Sequence, residues 1–118
     1  DPDMSHEQIK LLADLFLELK IDSVIATNTT VSRNEVENHH LATEQGGLSG
    51  KPIHSKSNDA ISRFYSSLND DIPIIGVGGI SSKKDAEEKI AAGAKLIQIY
   101  TGLVYQGPAL VKELLSIK

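Results

Sequence analysis

Four short strings in this chain carry residue types that recognise a ligand through neutral donors and through the backbone. Thr27-Asn28-Thr29 sets an amide between two hydroxyls. An asparagine amide both donates and accepts, which suits a planar ring bearing carbonyl and N–H groups. The same residue type also forms turns by satisfying nearby backbone, and spacing leaves both readings open. Gly78-Gly79 follows directly on the apolar run Ile72-Pro73-Ile74-Ile75-Gly76-Val77. Glycines there permit positive φ and let backbone N–H groups approach a phosphate; a plain strand-to-helix turn is the alternative. The string Gly76-Val77-Gly78-Gly79 lacks the third spaced glycine of a dinucleotide fingerprint. Gly46-Gly47-Leu48-Ser49-Gly50 fits a hinge, or an anion-cradling turn ahead of a helix begun by Pro52. Tyr100-Thr101-Gly102 closes a further apolar run.

Other chemistries find less support. There is no cysteine, which removes disulfides and thiolate metal sites. The histidines have no metal-ligand spacing. His6 and His54 fall at helix starts and His39-His40 are adjacent in a loop, so all four read as solvated surface groups. The run Lys83-Lys84-Asp85 with Glu87-Glu88-Lys89 reads as an exposed helix face with i,i+4 pairs.

The elements that would position these strings alternate along the chain. Ser5 and Gln8 form a capping box, with Met4 and Ile9 as a hydrophobic staple. Ile9, Leu12, Ala13, Phe16 and Leu19 then recur at helical spacing, predicting a helix from about Ser5 to Lys20. Val24-Ile25-Ala26 reads as a short strand buried on both faces. Further strands are expected over Ile72–Val77 and Leu96–Tyr100. Between and after them lie helices over Ile53–Leu68, from Ser82 through Ile90 with Asp85 at the capping-box position, and from Pro108 onward. The order αβαβαβα implies a parallel sheet with crossover helices. Three strands leave open edges that want neighbours. A doubly wound sheet or a (β/α)8 barrel would supply them, and a full barrel takes about 250 residues. In either architecture the strand-end strings face the ligand. Residues 30–51 form a connection of about twenty residues without helix or strand pattern, longer than the usual ~12–15, which is typical of a lid or binding loop.

Bulk properties agree with one soluble domain. Of 118 residues, 40% are hydrophobic and 24% charged, and the net charge of −4 argues against a nucleic-acid partner. No apolar run approaches the ~18–20 residues of a membrane span. The chain starts at Asp1 without a methionine, as a fragment would.

Ile25-Ala26-Thr27-Asn28-Thr29-Thr30, Gly46-Gly47-Leu48-Ser49-Gly50-Lys51-Pro52, Ile74-Ile75-Gly76-Val77-Gly78-Gly79-Ile80 and Gln98-Ile99-Tyr100-Thr101-Gly102 occur in this order. Together they resemble the C-terminal portion of the dihydroorotate dehydrogenases, specifically the quinone-dependent, membrane-associated class. The resemblance implies a partial (β/α)8 TIM barrel spanning residues 1–118 and FMN as cofactor. It also implies oxidation of dihydroorotate to orotate in pyrimidine biosynthesis, with electrons passed to a quinone. Thr27, Gly50, Gly79, Tyr100 and Thr101 would contact FMN, with Gly79 and the Tyr100-Thr101 pair at its phosphate. Asn28 and Thr29 would hold the pyrimidine ring, and the long loop would lie over it. A proton would leave substrate C5 and a hydride would pass from C6 to flavin N5. The family's serine base belongs to an earlier loop, a flavin-contacting lysine to the stretch just before Pro2-Asp3, and the membrane-docking segment to the N-terminus. None of them falls within these residues, so no catalytic residue is assigned, and Ser49 belongs to a different motif. The parent protein would sit peripherally on an inner membrane, bacterial or mitochondrial. The 118 residues alone would be incomplete. The alternative is a non-catalytic, self-associating α/β fragment with weak phosphate or FMN binding. A different phosphate-binding barrel, such as an isomerase, would need the Asn28 and Gly50 motifs to coincide by chance.

Overall fold

A computed structural model describes residues 1–117. Helix α1 (His6–Leu19) opens with the expected capping box: the Gln8 N–H donates to Ser5 Oγ at 3.2 Å, and the Ser5 N–H donates to the Gln8 side chain at 2.8 Å. It ends at Lys20, which adopts the left-handed conformation (φ 52°). Strand β1 (Val24–Ala26) follows, then the long connection, helix α2 (His54–Leu68), strand β2 (Ile74–Val77), helix α3 (Lys83–Ala91) and strand β3 (Ala94–Gln98). Two short helices close the chain, α4 (Thr101–Gln106) and α5 (Pro108–Leu114).

The three strands are parallel and lie in the order β1-β2-β3. A doubly wound sheet reverses its order and carries helices on both faces; here the order is sequential and the helices cover one face. The covered side buries Ile9, Ala13, Ala60, Ile61, Phe64 and Leu68 against Val24, Ala26, Ile74 and Ala94, with Phe16 stacked on Phe64 at 6.2 Å. A second small core joins Ile80, Ala86, Leu110 and Leu114. The bare side carries a cross-strand row, Ile25, Ile75 and Leu96. Ile25 is 58% exposed and Leu96 64% exposed. The expectation of strands buried on both faces therefore fails within these residues: the pleat sends alternate side chains to a side no helix covers.

Three sequence expectations shift for local reasons. β3 begins and ends two residues earlier than the apolar run suggests. Gly93 (φ 116°) turns the chain out of α3 so that Ala94 already pairs with Ile74, and a bulge follows between Ile74 and Ile75. Helix α4 was not expected, because its first residues read as a strand end. The Asp85 carboxylate accepts from the Ser81 N–H (2.9 Å) and hydroxyl (2.8 Å), one residue before the Ser82 cap.

Candidate functional site

The carboxyl ends of all three strands open into one concavity of about 230 Å³. Its lining includes Thr27, Asn28 and Thr29 after β1, Gly79 after β2, Tyr100 and Thr101 after β3, and Gly50 from the long loop. Parallel α/β architecture dictates that convergence, since every strand delivers its last residues to the same rim. No charged side chain lines the concavity among the described residues. Its polar groups are backbone, hydroxyl and amide. A larger groove of about 660 Å³ lies on the other side of Ser49 and Gly50, between the long loop and α4. It holds only Gly50 and Thr101 of those seven residues, so the strand ends do not converge on it.

Each side chain is set by its strand end. The Thr27 N–H continues the ladder, donating to the Val77 carbonyl at 2.9 Å, and Thr27 is buried while Asn28 is exposed. Asn28 Oδ1 accepts the Thr29 N–H at 2.8 Å. The turn uses the carbonyl side of the amide and leaves Nδ2 out of it. Tyr100 caps α4 through its backbone, with its side chain largely in solvent (78% exposed). The Thr101 hydroxyl donates to Ser49 Oγ at 3.0 Å, tying the long loop to the start of α4.

The long connection is an arch with a fixed neck. Thr30 and Leu48 form an antiparallel bridge, with N–H to carbonyl distances of 3.1 and 2.8 Å. Gly47 crosses Thr29 so closely that a Cβ there would lie 1.8 Å from Thr29 Oγ1. Asp3 accepts from the Thr30 hydroxyl (2.6 and 2.7 Å), the Val31 N–H (3.0 Å) and Lys56 Nζ (2.8 Å). Burial works to raise the Asp3 pKa, but the bonds from Lys56, Thr30 and Val31 outweigh it and hold the carboxyl below its usual range. Arg33 spans the arch: Nη1 donates to the carbonyls of Thr30, Val31 and Ser32 at 3.2–3.3 Å, and Nη2 to those of Glu44 at 3.2 Å and Gly46 at 2.5 Å.

Beneath the Gly78–Gly79 turn lies a layer that sequence reasoning missed. Lys89, read as part of an exposed helix face, is fully buried. Its Nζ donates to Ser57 Oγ at 2.9 Å, and Ser57 donates to the Val77 carbonyl at 2.7 Å. Burial pulls the ammonium down to about 8, partly opposed by the charge of Asp85. The reversal has a simple origin. Helix α3 offers few apolar side chains, so the lysine stem covers the sheet across Gly76, where a Cβ would meet Lys89 Cγ at 2.6 Å. A glycine facing a helix short of apolar residues was the available signal. The two i,i+4 pairs on the outer face of α3 do form, Lys83–Glu87 at 3.8 Å and Lys84–Glu88 at 3.7 Å.

His54 also departs from the solvated reading. Its ring is 15% exposed and bonds the Gly79 carbonyl, Glu88 and Asn58. That hydrogen bond from His54 holds the Glu88 carboxyl below its usual range. His6, His39 and His40 are exposed as expected. Among the described residues no cluster of three metal-ligating side chains occurs, and no helix is long and apolar enough to cross a membrane.

Comparison with known proteins adds a second, independent line. A family model described as dihydroorotate dehydrogenase matches residues 1–116. A dihydroorotate dehydrogenase (quinone) from Janthinobacterium sp. (strain Marseille) is 59% identical over 112 residues, which cover 95% of this chain and 32% of that protein. One of the same name from Vibrio cholerae is 51% identical over 115 residues, covering 98% and 34%. Among solved structures, a DHODH from Eimeria tenella in complex with ferulenol superposes with a TM-score of 0.89 at 38% identity, over 97% of this chain and 31% of that one. A ligand-free form from the same organism gives 0.90 at 37% identity. The chain thus spans about a third of the length of its relatives.

Proposed function

This chain belongs to the dihydroorotate dehydrogenase family, and we propose that it supplies the flavin-phosphate and substrate-ring part of a quinone-dependent member. The observation that carries the proposal is the convergence of three strand ends on one concavity without a charged side chain. A phosphate there meets backbone N–H groups and hydroxyls with no carboxylate to repel it, and a planar heterocycle meets amide and hydroxyl partners. Gly78 (φ 115°) and Gly79 (φ 74°) allow the positive-φ turn in which successive backbone N–H groups can cradle a phosphate. That donor set fits FMN.

On this reading Gly79 and the Tyr100-Thr101 backbone hold the phosphate, and Thr27 and Gly50 contact the rest of the cofactor. Asn28 and Thr29 orient the dihydroorotate ring. When bound, the flavin supplies the acceptor for the substrate's hydride and passes the electrons on to a quinone. The chain's own residues supply orientation, and the arch over residues 30–51 excludes water from the ring. The bare row of Ile25, Ile75 and Leu96 packs against the remaining strands of the barrel interior. Each such side chain contributes about 1.5–3 kcal/mol when covered, which is why the 118 residues by themselves favour self-association. The proton-abstracting base and the contact with the membrane come from parts of the parent protein outside these residues, and the parent is peripheral on an inner membrane.

The decisive experiment grafts residues 1–116 into the Janthinobacterium relative in place of the matching segment. The graft should bind FMN and oxidise dihydroorotate with a quinone acceptor. The 118-residue chain alone, titrated with FMN while its size is measured, should associate and bind flavin weakly. In the graft, Asn28→Ala removes one or two ring hydrogen bonds, about 1–3 kcal/mol each when a buried partner is orphaned. Unchanged turnover and dihydroorotate affinity would take Asn28 out of the site.

A further inference from the structure

His54 opens α2 directly beneath Gly79, and both of its ring nitrogens face acceptors. Nδ1 lies 3.2 Å from the Gly79 carbonyl, and Nε2 lies 2.8 Å from a Glu88 carboxylate oxygen. A neutral imidazole has one N–H and one lone pair, so it satisfies one acceptor and sets its lone pair against the other. The imidazolium donates to both. Asn58 supplies a second observation. Its Nδ2 is 3.1 Å from Nε2, while its buried Oδ1 has no partner. A half-turn of that amide exchanges two groups of nearly equal shape and brings the orphan oxygen to an Nε2–H. Contact between the backbones is close as well: a Cβ on Gly79 would lie 2.5 Å from His54 Cα. The turn therefore rests on the first residue of the helix.

We propose that His54, as the imidazolium, is a positioning residue that holds the Gly79 carbonyl, and with it the Gly78–Gly79 turn, in the orientation that binds a phosphate-bearing ligand. Affinity for that ligand then falls as His54 loses its proton. The inference rests on the flavin reading above and assigns its phosphate end a pH-dependent support. The charged groups that face His54 are Glu88 and Asp85, with Lys84 beyond Glu88, all from α3. When the proton leaves, the remaining N–H stays with the carboxylate, the stronger acceptor. The lone pair then confronts the Gly79 carbonyl, and the turn loses its hold from below.

Flavin fluorescence reads the effect in the grafted barrel. Dissociation constants for FMN and for riboflavin, the same ring without phosphate, are measured from about pH 5.5 to about pH 8.5, the span in which histidine switches. FMN affinity relative to riboflavin should fall about three- to tenfold with rising pH, the worth of one hydrogen bond. The phosphate's own second ionisation, near pH 6, acts in the opposite direction and is common to every variant. His54→Gln should abolish the fall. Glu88→Gln, at an exposed position, should shrink the fall, because its amide can donate to Nε2 and leave an Nδ1–H for the Gly79 carbonyl when the ring is neutral, which keeps the test informative if His54→Gln folds poorly. An equal fall in all three proteins, or the same fall for riboflavin, would overturn the inference while leaving flavin binding intact. No flavin binding at any pH would overturn the flavin reading and this inference with it.

Discussion

The Gly78–Gly79 turn and the arch over residues 30–51 border the same concavity but are held in opposite ways. The turn is two residues long and is supported from beneath by side chains of other elements: Ser57 and Lys89 under the Val77 carbonyl, His54 under the Gly79 carbonyl. The arch is held mainly by one of its own residues, Arg33, reaching five of its backbone carbonyls. Their glycines differ away from the neck of the arch. A Cβ at Gly79 would strike the His54 backbone, whereas one at Gly46 meets nothing within 4 Å; within the arch the tight approach is at its neck, where a Cβ at Gly47 would meet the Thr29 side chain. Rigid support suits a group that must present fixed N–H donors to an anion. A loop closed on itself and pinned at its neck suits a cover that admits a ligand and shuts behind it.

If the turn is truly the rigid region, its glycine tolerates nothing. Gly79→Ala combines φ 74° with a Cβ 2.5 Å from His54 Cα, and the obstacle is backbone rather than a side chain that can swing away. Strain and overpacking together predict a loss of roughly 3–5 kcal/mol, read as a lowered denaturation midpoint with loss of bound FMN in the grafted barrel. A shift below about 1 kcal/mol would mean the turn yields easily, and the contrast with the arch would disappear.

Lys89→Met tests the support itself. The methionine keeps an apolar stem over Gly76 and removes the charge. The folded pKa, about 8, lies below the 10.5 of a lysine in water. Below about 8 the lysine is charged in both folded and unfolded states, and the folded protein bears the full cost of burying it. Above 10.5 it is neutral in both, and that cost is gone. Wild-type stability should therefore rise relative to the methionine variant across this window, by an amount of order 3 kcal/mol. Paired denaturation curves at several pH values measure the difference. A difference that stays flat with pH would mean that Lys89 holds its proton equally well in the folded and unfolded states, so that burial does not depress its pKa.

The same contrast explains what the sequence could convey. The order of elements and the capping box at Ser5 were legible because they depend on neighbours within a few residues. So was the convergence of Thr27, Asn28, Gly79 and Tyr100, since parallel strands bring their ends together whatever the details. The support beneath the turn was not legible. Lys89 meets Ser57 across 32 positions and His54 meets Gly79 across 25, and a lysine among glutamates has the pattern of an exposed face whether its stem points out or in. The bare sheet face was hidden for a related reason. An apolar run such as Val24-Ile25-Ala26 predicts burial on both faces without telling which neighbours would bury them, and here Ile25 is exposed. Helix α4 went unseen because a β-strand's last residues and a short helix's first ones share the same residue types at Tyr100-Thr101-Gly102.

Arg33→Ala should have the smallest effect and the most local one. The guanidinium joins carbonyls at the start of the arch, Thr30 to Ser32, to those near its end, Glu44 and Gly46. These groups are only partly shielded from water, so solvent replaces much of what is lost, and a cost of about 1–2 kcal/mol follows. That cost belongs to opening the arch rather than to global unfolding. Backbone amides of residues 34–47 should exchange faster with deuterium while those of α2 and β2 keep their protection. Arg33→Lys should not restore the slow exchange, because a single ammonium cannot reach both ends of the arch as a planar fork does. Equal acceleration in α2 would show that the arch and the turn open together. Unchanged exchange would show that the neck alone, through the Thr30–Leu48 bridge and Asp3, holds the arch closed.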